Sequence, residues 1–196
     1  MTPQNILLIR KFILFLVAAM LSVSAMAANF DQTQRLANQG IAEAQYDLGE
    51  MYYFSEGVRQ DYAKAKKWYQ KAADQGVAEA QSNLGLMYYE GKGVRQDYIE
   101  ANQWFEKAAN QGSAEAQSNL SLMYYEGKGV RQDYAKAKDL LQKAANQGFA
   151  DAQFNLGVMY GQGKGVSRDY AKAKELVGKS CDNGLKKGCD AYRILN

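Results

Sequence analysis

The chain has 196 residues, of which 47% are hydrophobic and 23% are charged. These values are typical of a folded globular protein, so a disordered chain and a mostly membrane-embedded chain are excluded as starting hypotheses. The sequence contains 18 Gly and one Pro, and the Gly residues recur at regular places. This combination favours short helices joined by Gly-containing turns, because Pro interrupts helices and Gly permits tight turns.

The first predicted element is a secretion signal at residues 1–27. The basic pair Arg10 and Lys11 precedes an apolar run, and Ala25-Met26-Ala27 has the A-x-A form of a signal-peptidase site. A membrane anchor is the alternative, but the apolar run is shorter than the roughly 20 residues that a spanning helix requires. We therefore expect cleavage after Ala27, a periplasmic or secreted location, and no membrane insertion of the mature protein.

The charge of the mature chain is close to neutral. The predicted signal removes two basic residues and no acidic one, which leaves 22 basic against 21 acidic residues and a net charge of about +1. The Lys and Arg residues are interleaved with Asp and Glu, without a run of five or six basic residues. Nucleic-acid binding is therefore not expected.

A repeat of 36 residues occupies almost all of the remaining chain. The segment Ala42-Glu43-Ala44-Gln45 returns three times at this interval, with a single Glu-to-Asp change. Flanking these segments, a half repeat is predicted at 28–41 and a capping helix at 186–196. The four full repeats are predicted at 42–77, 78–113, 114–149 and 150–185.

Each repeat is predicted to contain two amphipathic helices, A and B. In the first repeat, Ala44, Leu48 and Met51 follow the helical spacing i, i+4, i+7 in helix A, and helix B carries a similar stripe through Trp68. Helix B ends at a Gln-Gly pair, where Gly suits the left-handed residue after a helix. An Asp is predicted to cap the N-terminus of each helix B. These caps are Asp61, Asp97, Asp133 and Asp169.

A single helix pair has too little apolar surface to fold alone, so neighbouring pairs are expected to stack and share one elongated core. The predicted fold is all-α, a right-handed α-solenoid (αα-superhelix) of helix-turn-helix repeats with a concave and a convex face. A monomer is expected.

The pattern A-E-A-Q-x-x-L-G-x-M-Y, followed by G-x-G-V-x-x-D-Y-x-x-A and K-A-A-x-Q-G, resembles the Sel1-like repeat, a relative of the tetratricopeptide repeat. In the second repeat, Leu84-Gly85-Leu86-Met87-Tyr88 and Gly91-Lys92-Gly93-Val94 carry this resemblance. The resemblance implies stacked αα-hairpins and a role as an adaptor or scaffold that binds a protein or peptide.

Two cysteines, Cys181 and Cys189, lie around the predicted turn into the final helix. The pair resembles those of the Helicobacter cysteine-rich secreted proteins, which carry such a pair in most repeats, whereas this chain has one in its last repeat alone. Export and an even Cys count favour a disulfide that staples the end of the solenoid. A redox-active pair is the alternative, but C-x-x-C spacing is absent.

An enzymatic function is the alternative to binding, because some proteins of that cysteine-rich group carry a β-lactamase label. A cell-wall enzyme acting on β-lactams or peptidoglycan would require catalytic residues in recognisable motifs. The sequence has no His, no Ser with a Lys three positions later and no K-T-G segment. The acidic residues recur with the repeat and do not converge in one unique place. We expect no catalytic site, no metal site and no cofactor.

A ligand is expected on the concave face. If helix A follows the tetratricopeptide register, three positions of each helix A face the groove, and they are mostly aromatic, aliphatic or hydroxyl-bearing without a basic clamp. A ladder of Asn residues runs beside them and serves either to pair with a peptide backbone or to set the stacking of repeats. The predicted groove residues are Tyr46, Glu50, Tyr53, Ser82, Asn83, Leu86, Tyr89, Ser118, Asn119, Leu122, Tyr125, Phe154, Asn155 and Val158.

Overall fold

The computed structural model describes residues 28–195, so the predicted signal peptide lies outside the described residues. The described residues form ten α-helices and contain no β-strand. The first helix, α1, covers 28–38 within this range. The others are α2 (Ala42–Phe54), α3 (Tyr62–Asp74), α4 (Ala78–Glu90), α5 (Tyr98–Asn110), α6 (Ala114–Glu126), α7 (Tyr134–Asn146), α8 (Ala150–Gln162), α9 (Tyr170–Asp182) and α10 (Lys186–Ile194).

The predicted Asp caps determine where the helices B begin. The side chain of Asp97 accepts hydrogen bonds from the backbone N–H groups of Ile99 and Glu100 at 2.9 and 3.1 Å. Asp61, Asp133 and Asp169 make the equivalent contact at the starts of α3, α7 and α9. Each cap satisfies a backbone donor that the first turn of a helix leaves unpaired.

The chain divides into two compact units, and the first covers residues 28–75 of the described chain. It contains α1, α2 and α3, and the last two pack as an antiparallel hairpin. The ring of Tyr69 on α3 is fully buried and lies directly over Gly49 on α2, where an added Cβ atom would lie 2.5 Å from the ring. A side chain at this Gly would therefore separate the two helices.

The second unit begins at Gly76 and contains α4 to α10. Every helix in it packs against the next one in the chain, so the unit is an α-solenoid of stacked hairpins. Its core alternates Ala residues at the helix contacts with larger apolar residues such as Leu120, Met123, Leu156 and Met159. Small residues let the helix backbones approach, and the larger ones fill the space between them.

A ladder of Gln side chains joins the helices of consecutive repeats in this unit. Gln117 at the start of α6 donates a 3.3 Å hydrogen bond to the carbonyl of Ala109 in the preceding repeat. Its own amide oxygen accepts a 3.0 Å hydrogen bond from Gln147 at the end of α7, which also donates to the carbonyl of Gly112. The A-E-A-Q glutamine is thus a stacking residue, a role that the sequence did not reveal.

Candidate functional site

One pocket in the second unit is lined by four of the predicted groove residues. Leu122 and Tyr125 of α6, together with Asn155 and Val158 of α8, line a pocket of about 110 Å³. Two consecutive helices A therefore contribute equally to it. The structure brings together the predicted groove positions of the third and fourth repeats in one small concavity.

The floor of this pocket is apolar. Ser121, Leu141 and Met159 complete its lining, and they are 1%, 3% and 1% exposed, whereas Leu122 is 37% exposed. The hydroxyl of Ser121 donates a 2.6 Å hydrogen bond to the carbonyl of Ser118 in its own helix. Because this hydroxyl is already satisfied, the group that fits the floor is an apolar side chain.

The pocket lies where the third repeat departs from the first two. In the second repeat the ring of Phe105 packs over Gly85, and the first repeat has the same combination of Gly and an aromatic residue. The third repeat has Leu141 and Ser121 at these two positions. Leu has no ring to extend across the helix A, so space remains between α6, α7 and α8.

The Asn ladder behaves differently from the Gln ladder. Within residues 28–195, no hydrogen bond involves the side chain of Asn119 or Asn155, and both residues are half-buried. Asn83, by contrast, does have an interaction partner. Since the glutamines provide the contacts between repeats, the amides of Asn119 and Asn155 remain available as paired donors and acceptors for a ligand.

A lysine from the next repeat lies beside Tyr125. The Nζ atom of Lys164 donates a 2.8 Å hydrogen bond to the Oη atom of Tyr125, which donates in turn to Gln162 at 2.9 Å. This hydrogen bond raises the pKa of Lys164 above its ordinary value, so the ammonium group stays charged. A cation therefore lies next to the pocket, a feature that the sequence did not reveal because the two residues are 39 positions apart.

One repeat earlier, the charge of the equivalent lysine is balanced by a carboxylate. Lys128 donates to the Oη atom of Tyr89 at 3.0 Å, but it also forms a 2.8 Å ion pair with Glu126. The position of Glu126 is occupied by Gln162 in the fourth repeat. Among the ion pairs of the described chain, none includes Lys164, which distinguishes it from Lys128.

In the first unit, Tyr46, Glu50 and Tyr53 lie on one face of α2. The hydroxyl of Tyr69 donates to the carboxylate of Glu50, and the rings of Tyr46 and Tyr53 lie 5.9 and 6.3 Å from the Tyr69 ring. The Tyr53 ring also meets Tyr62 edge-on at 5.1 Å. These three predicted groove residues therefore form an aromatic cluster with one carboxylate, and each is half-buried.

The remaining predicted groove residues differ in accessibility. Ser82 and Ser118 are 2% and 5% exposed, so their hydroxyls lie in the interior and not on an accessible surface. Leu86 is partly buried and packs against the core of the second unit. The ring of Phe154 lies 5.0 Å from the Nζ atom of Lys187. The sequence register grouped these residues by helix position, and it could not specify the depth of each side chain.

The last repeat carries the predicted disulfide. Cys181 in α9 is bonded to Cys189 in α10, with their Cα atoms 4.4 Å apart. Gly188 beside it is buried, and a Cβ atom there would lie 2.1 Å from the hydroxyl oxygen of Ser180. The bridge therefore joins the terminal helix to the helix before it at a point of close contact.

The described residues contain no group of three or more His, Cys, Asp or Glu side chains arranged to hold a metal ion. Within the same residues, no helix combines the length and the hydropathy that are needed to cross a membrane. In the second unit, the apolar pocket thus lies beside the amides of Asn119 and Asn155 and the ammonium group of Lys164.

Comparison with protein families gives a match over most of the chain. The model of the Sel1 repeat matches residues 42–77, 78–113, 114–149 and 150–185. Comparison with curated proteins finds no match. The family match confirms the resemblance that the repeat pattern predicted.

Solved structures give the same result. A Sel1 repeat protein from Oxalobacter formigenes is 31% identical with a TM-score of 0.82, over 85% of this chain and 66% of that one. The protective antigen c5321 of uropathogenic Escherichia coli is 39% identical with a TM-score of 0.77, over 82% of this chain and 34% of that one. This chain thus spans about a third of the length of the Escherichia coli protein.

A Helicobacter cysteine-rich protein is also among the solved structures that are similar to this chain. Helicobacter pylori cysteine rich protein B is 26% identical to this chain with a TM-score of 0.53, and the match covers 64% of this chain and 96% of that protein. The similarity of the terminal Cys pair to that group is consistent with this finding.

Proposed function

Because this chain belongs to the Sel1 repeat family, whose repeats are non-catalytic protein-interaction modules, we propose that it binds an extended peptide segment of a partner protein. The binding surface is the exposed face of α6 and α8, extended by Leu86 and Tyr89 on α4. No observation favours a cell-wall enzyme, and the described residues contain no group of three or more His, Cys, Asp or Glu side chains that could hold a catalytic metal ion.

The single observation that carries this proposal is the pocket shared by Leu122, Tyr125, Asn155 and Val158. Ligand sites combine an apolar concavity with a few polar groups that fix orientation. Here the floor suits an apolar side chain, and the Asn155 amide offers one donor and one acceptor to a peptide backbone. An extended peptide presents both kinds of group at regular intervals.

The aromatic cluster of the first unit is a second contact surface in this proposal. Tyr46, Glu50 and Tyr53 are half-buried, and tyrosines of this kind provide large rigid contact area together with a polar hydroxyl. The proposal does not depend on it, because the pocket of the second unit is complete without any residue of the first.

We also propose that the protein is exported, cleaved after Ala27 and monomeric in the periplasm or outside the cell. The predicted signal and the Cys181–Cys189 disulfide support this location, because disulfides persist in oxidising compartments. Mass determination of the protein recovered from the cell envelope tests the cleavage site. A mature chain that begins at Ala28 is expected, and recovery of the uncleaved chain from the cytoplasm would contradict export.

Binding is tested by selecting short random peptides on the immobilised protein and measuring the selected peptides by fluorescence polarisation. Leu122→Glu introduces a charge at the rim of the pocket and is expected to abolish binding, because a carboxylate would have to be desolvated under the peptide. Circular dichroism verifies that the variant remains folded.

Ile99→Glu is the matched control. Ile99 on α5 is 61% exposed and does not line the pocket, so this variant adds the same charge to the same unit elsewhere. We expect it to bind the selected peptides as the natural protein does. If both Glu variants bind normally, the pocket is not the binding surface; if no peptide is selected at all, the proposed function is wrong.

A further inference from the structure

The pocket and the cation beside it together form an exception to the repeat. At most positions, the type of residue found in one repeat occurs again 36 residues later. At the junction of the third and fourth repeats, Leu141 replaces an aromatic residue and Gln162 replaces an acidic one. The first change opens an apolar pocket, and the second leaves Lys164 without the carboxylate that neutralises Lys128.

Tyr125 connects these two features. Its side chain lines the pocket, and its hydroxyl accepts the hydrogen bond from Lys164 at 2.8 Å. The ammonium group also lies 4.9 Å from the centroid of the Tyr125 ring. When one side chain of a ligand fills the pocket, a neighbouring residue of the same ligand can therefore reach the ammonium group of Lys164.

We propose that this junction recognises a peptide in which an aliphatic residue is accompanied by Asp or Glu two positions away. This inference rests on the proposed function and specifies its ligand. The aliphatic side chain enters the pocket, the Asn155 amide pairs with the backbone beside it, and the acidic side chain pairs with Lys164.

The size of the pocket selects the aliphatic residue. A dry cavity of about 150 Å³ lined by Leu, Ile and Phe holds a benzene molecule. The present pocket of about 110 Å³ is smaller, and Leu141 and Met159 form the apolar part of its floor, so we expect one Leu, Ile or Met side chain to occupy it in preference to an aromatic ring. On its buried floor, the hydroxyl of Ser121 already donates its proton to the carbonyl of Ser118, so the floor offers no free donor to a hydrophilic side chain.

The charge and the spacing select the acidic residue. Alternate side chains of an extended peptide lie on the same side of its backbone, roughly 7 Å apart, so residues i and i+2 can both face the protein. Lys164 is a single point charge beside the pocket, held by the hydroxyl of Tyr125, and the lining of the pocket itself contains no Lys or Arg. A side-chain carboxylate suits one such charge, whereas a chain-terminal carboxylate usually requires several converging donors.

The chain itself supplies the variants that test each half of the proposal. Ser121→Gly/Leu141→Phe recreates the packing of Gly85 with Phe105, and it fills the pocket with a side-chain pair that already occurs in the second repeat. Gln162→Glu recreates the pairing of Glu126 with Lys128 and neutralises Lys164 without removing it. Both variants are therefore expected to fold, and thermal unfolding verifies this.

The experiment selects random peptides displayed without a free C-terminus and measures the affinities of synthetic, amidated copies. With the natural protein, we expect enrichment of an aliphatic residue with Asp or Glu two positions away. Ser121→Gly/Leu141→Phe is expected to weaken binding about tenfold or more, because the aliphatic side chain loses its buried position. Gln162→Glu is expected to weaken binding of the acidic peptides about two- to fivefold and to remove their salt dependence.

Matched controls test the pairing of Lys164 with the acidic residue of the peptide separately from the filling of the pocket. Lys128→Gln removes a lysine that is already paired and is expected to leave the acidic preference unchanged, whereas Lys164→Gln is expected to remove it. Replacing the acidic residue of the peptide by its amide should weaken binding to the natural protein and leave binding to Gln162→Glu unaltered.

The outcomes are distinguishable from failure of the proposed function. If peptides are selected but the aliphatic and acidic pattern is absent, or survives both variants, this inference is wrong while peptide binding stands. Binding that requires a free C-terminal carboxylate also overturns it. If no peptide is selected at all, the proposed function and this inference fail together.

Discussion

The ring of Phe105 packs directly over Gly85, so that a Cβ atom added to this Gly would lie 2.6 Å from the Cδ1 atom of the ring. We expect Gly85→Ala to lower the free energy of unfolding by about 1–3 kcal/mol, because the ring or the helix must move to admit the methyl group. Urea unfolding followed by circular dichroism measures this change.

A compensating substitution tests the explanation of that effect. Phe105→Leu combined with Gly85→Ser reproduces the Leu141 and Ser121 pair of the third repeat. This double variant should be closer in stability to the natural protein than the sum of its single variants, since the two residues are in contact. Strictly additive effects would contradict a direct steric relationship between these positions.

The Gln ladder is expected to be a major determinant of repeat stacking. Gln117→Leu removes a side chain that is 5% exposed and leaves the amide of Gln147 and the carbonyl of Ala109 without this partner. We predict a loss of about 1–3 kcal/mol in the free energy of unfolding, because two part-buried hydrogen bonds are lost at roughly 0.5–1.5 kcal/mol each. Chemical denaturation provides the measurement.

Gln103→Leu is the control for this substitution. Gln103 is exposed on α5, so the same chemical change there should alter stability by less than about 0.5 kcal/mol. Equal effects of the two variants would mean that the ladder does not contribute to stacking.

The disulfide is predicted to hold the terminal helix. Cys181 and Cys189 are separated by eight positions, and closing a loop of this length contributes about 2–3 kcal/mol by the chain-entropy estimate. Replacing both by Ala should raise the hydrogen-exchange rates of the α10 amides more than those of α4 to α7, because α10 packs mainly against the single helix α9, to which the disulfide joins it. Reductant should reproduce the effect in the natural protein and have no effect on the variant.

The acid response of Glu175 provides a test of local electrostatics. Hydrogen bonds from Lys179 and Lys172 lower the pKa of Glu175 from 4.5 to about 2. A carboxyl group whose pKa is lower in the folded chain stabilises the fold above its unfolded pKa, so this contribution is lost as the pH falls from about 4.5 to about 2.

NMR titration of the Glu175 carboxyl carbon measures this midpoint directly. Lys172→Gln/Lys179→Gln should move it upward toward 4.5, because both hydrogen-bond donors are lost. A midpoint that is the same in the two proteins would show that these lysines do not pair with Glu175 in solution.

Much of the fold could be predicted from the sequence because its determinants are local. The Asp caps, the Gly residues after the helices and the apolar spacing each act within a few residues of their own position. A period of 36 residues repeats these signals four times, so the helix-turn-helix order follows from the pattern. The Cys pair was predictable for the same reason, since its two members flank one turn.

The candidate site was predictable only as a face of the helices A. The register identified Leu122, Tyr125, Asn155 and Val158, which do line one pocket. It also included Ser118, which is buried, because the register specifies the direction of a side chain and not what packs on top of it.

By itself, the sequence determined the repeat, the helices and their ends, because these depend on short-range backbone and side-chain preferences. The tertiary structure decided which of the predicted groove residues line a pocket, because this depends on whether Leu141 or an aromatic ring occupies the space between three helices. It likewise decided the charge beside that pocket, since Lys164 reaches Tyr125 from another repeat. Packing and long-range contacts of this kind depend on the volumes and positions of side chains that are distant in the chain.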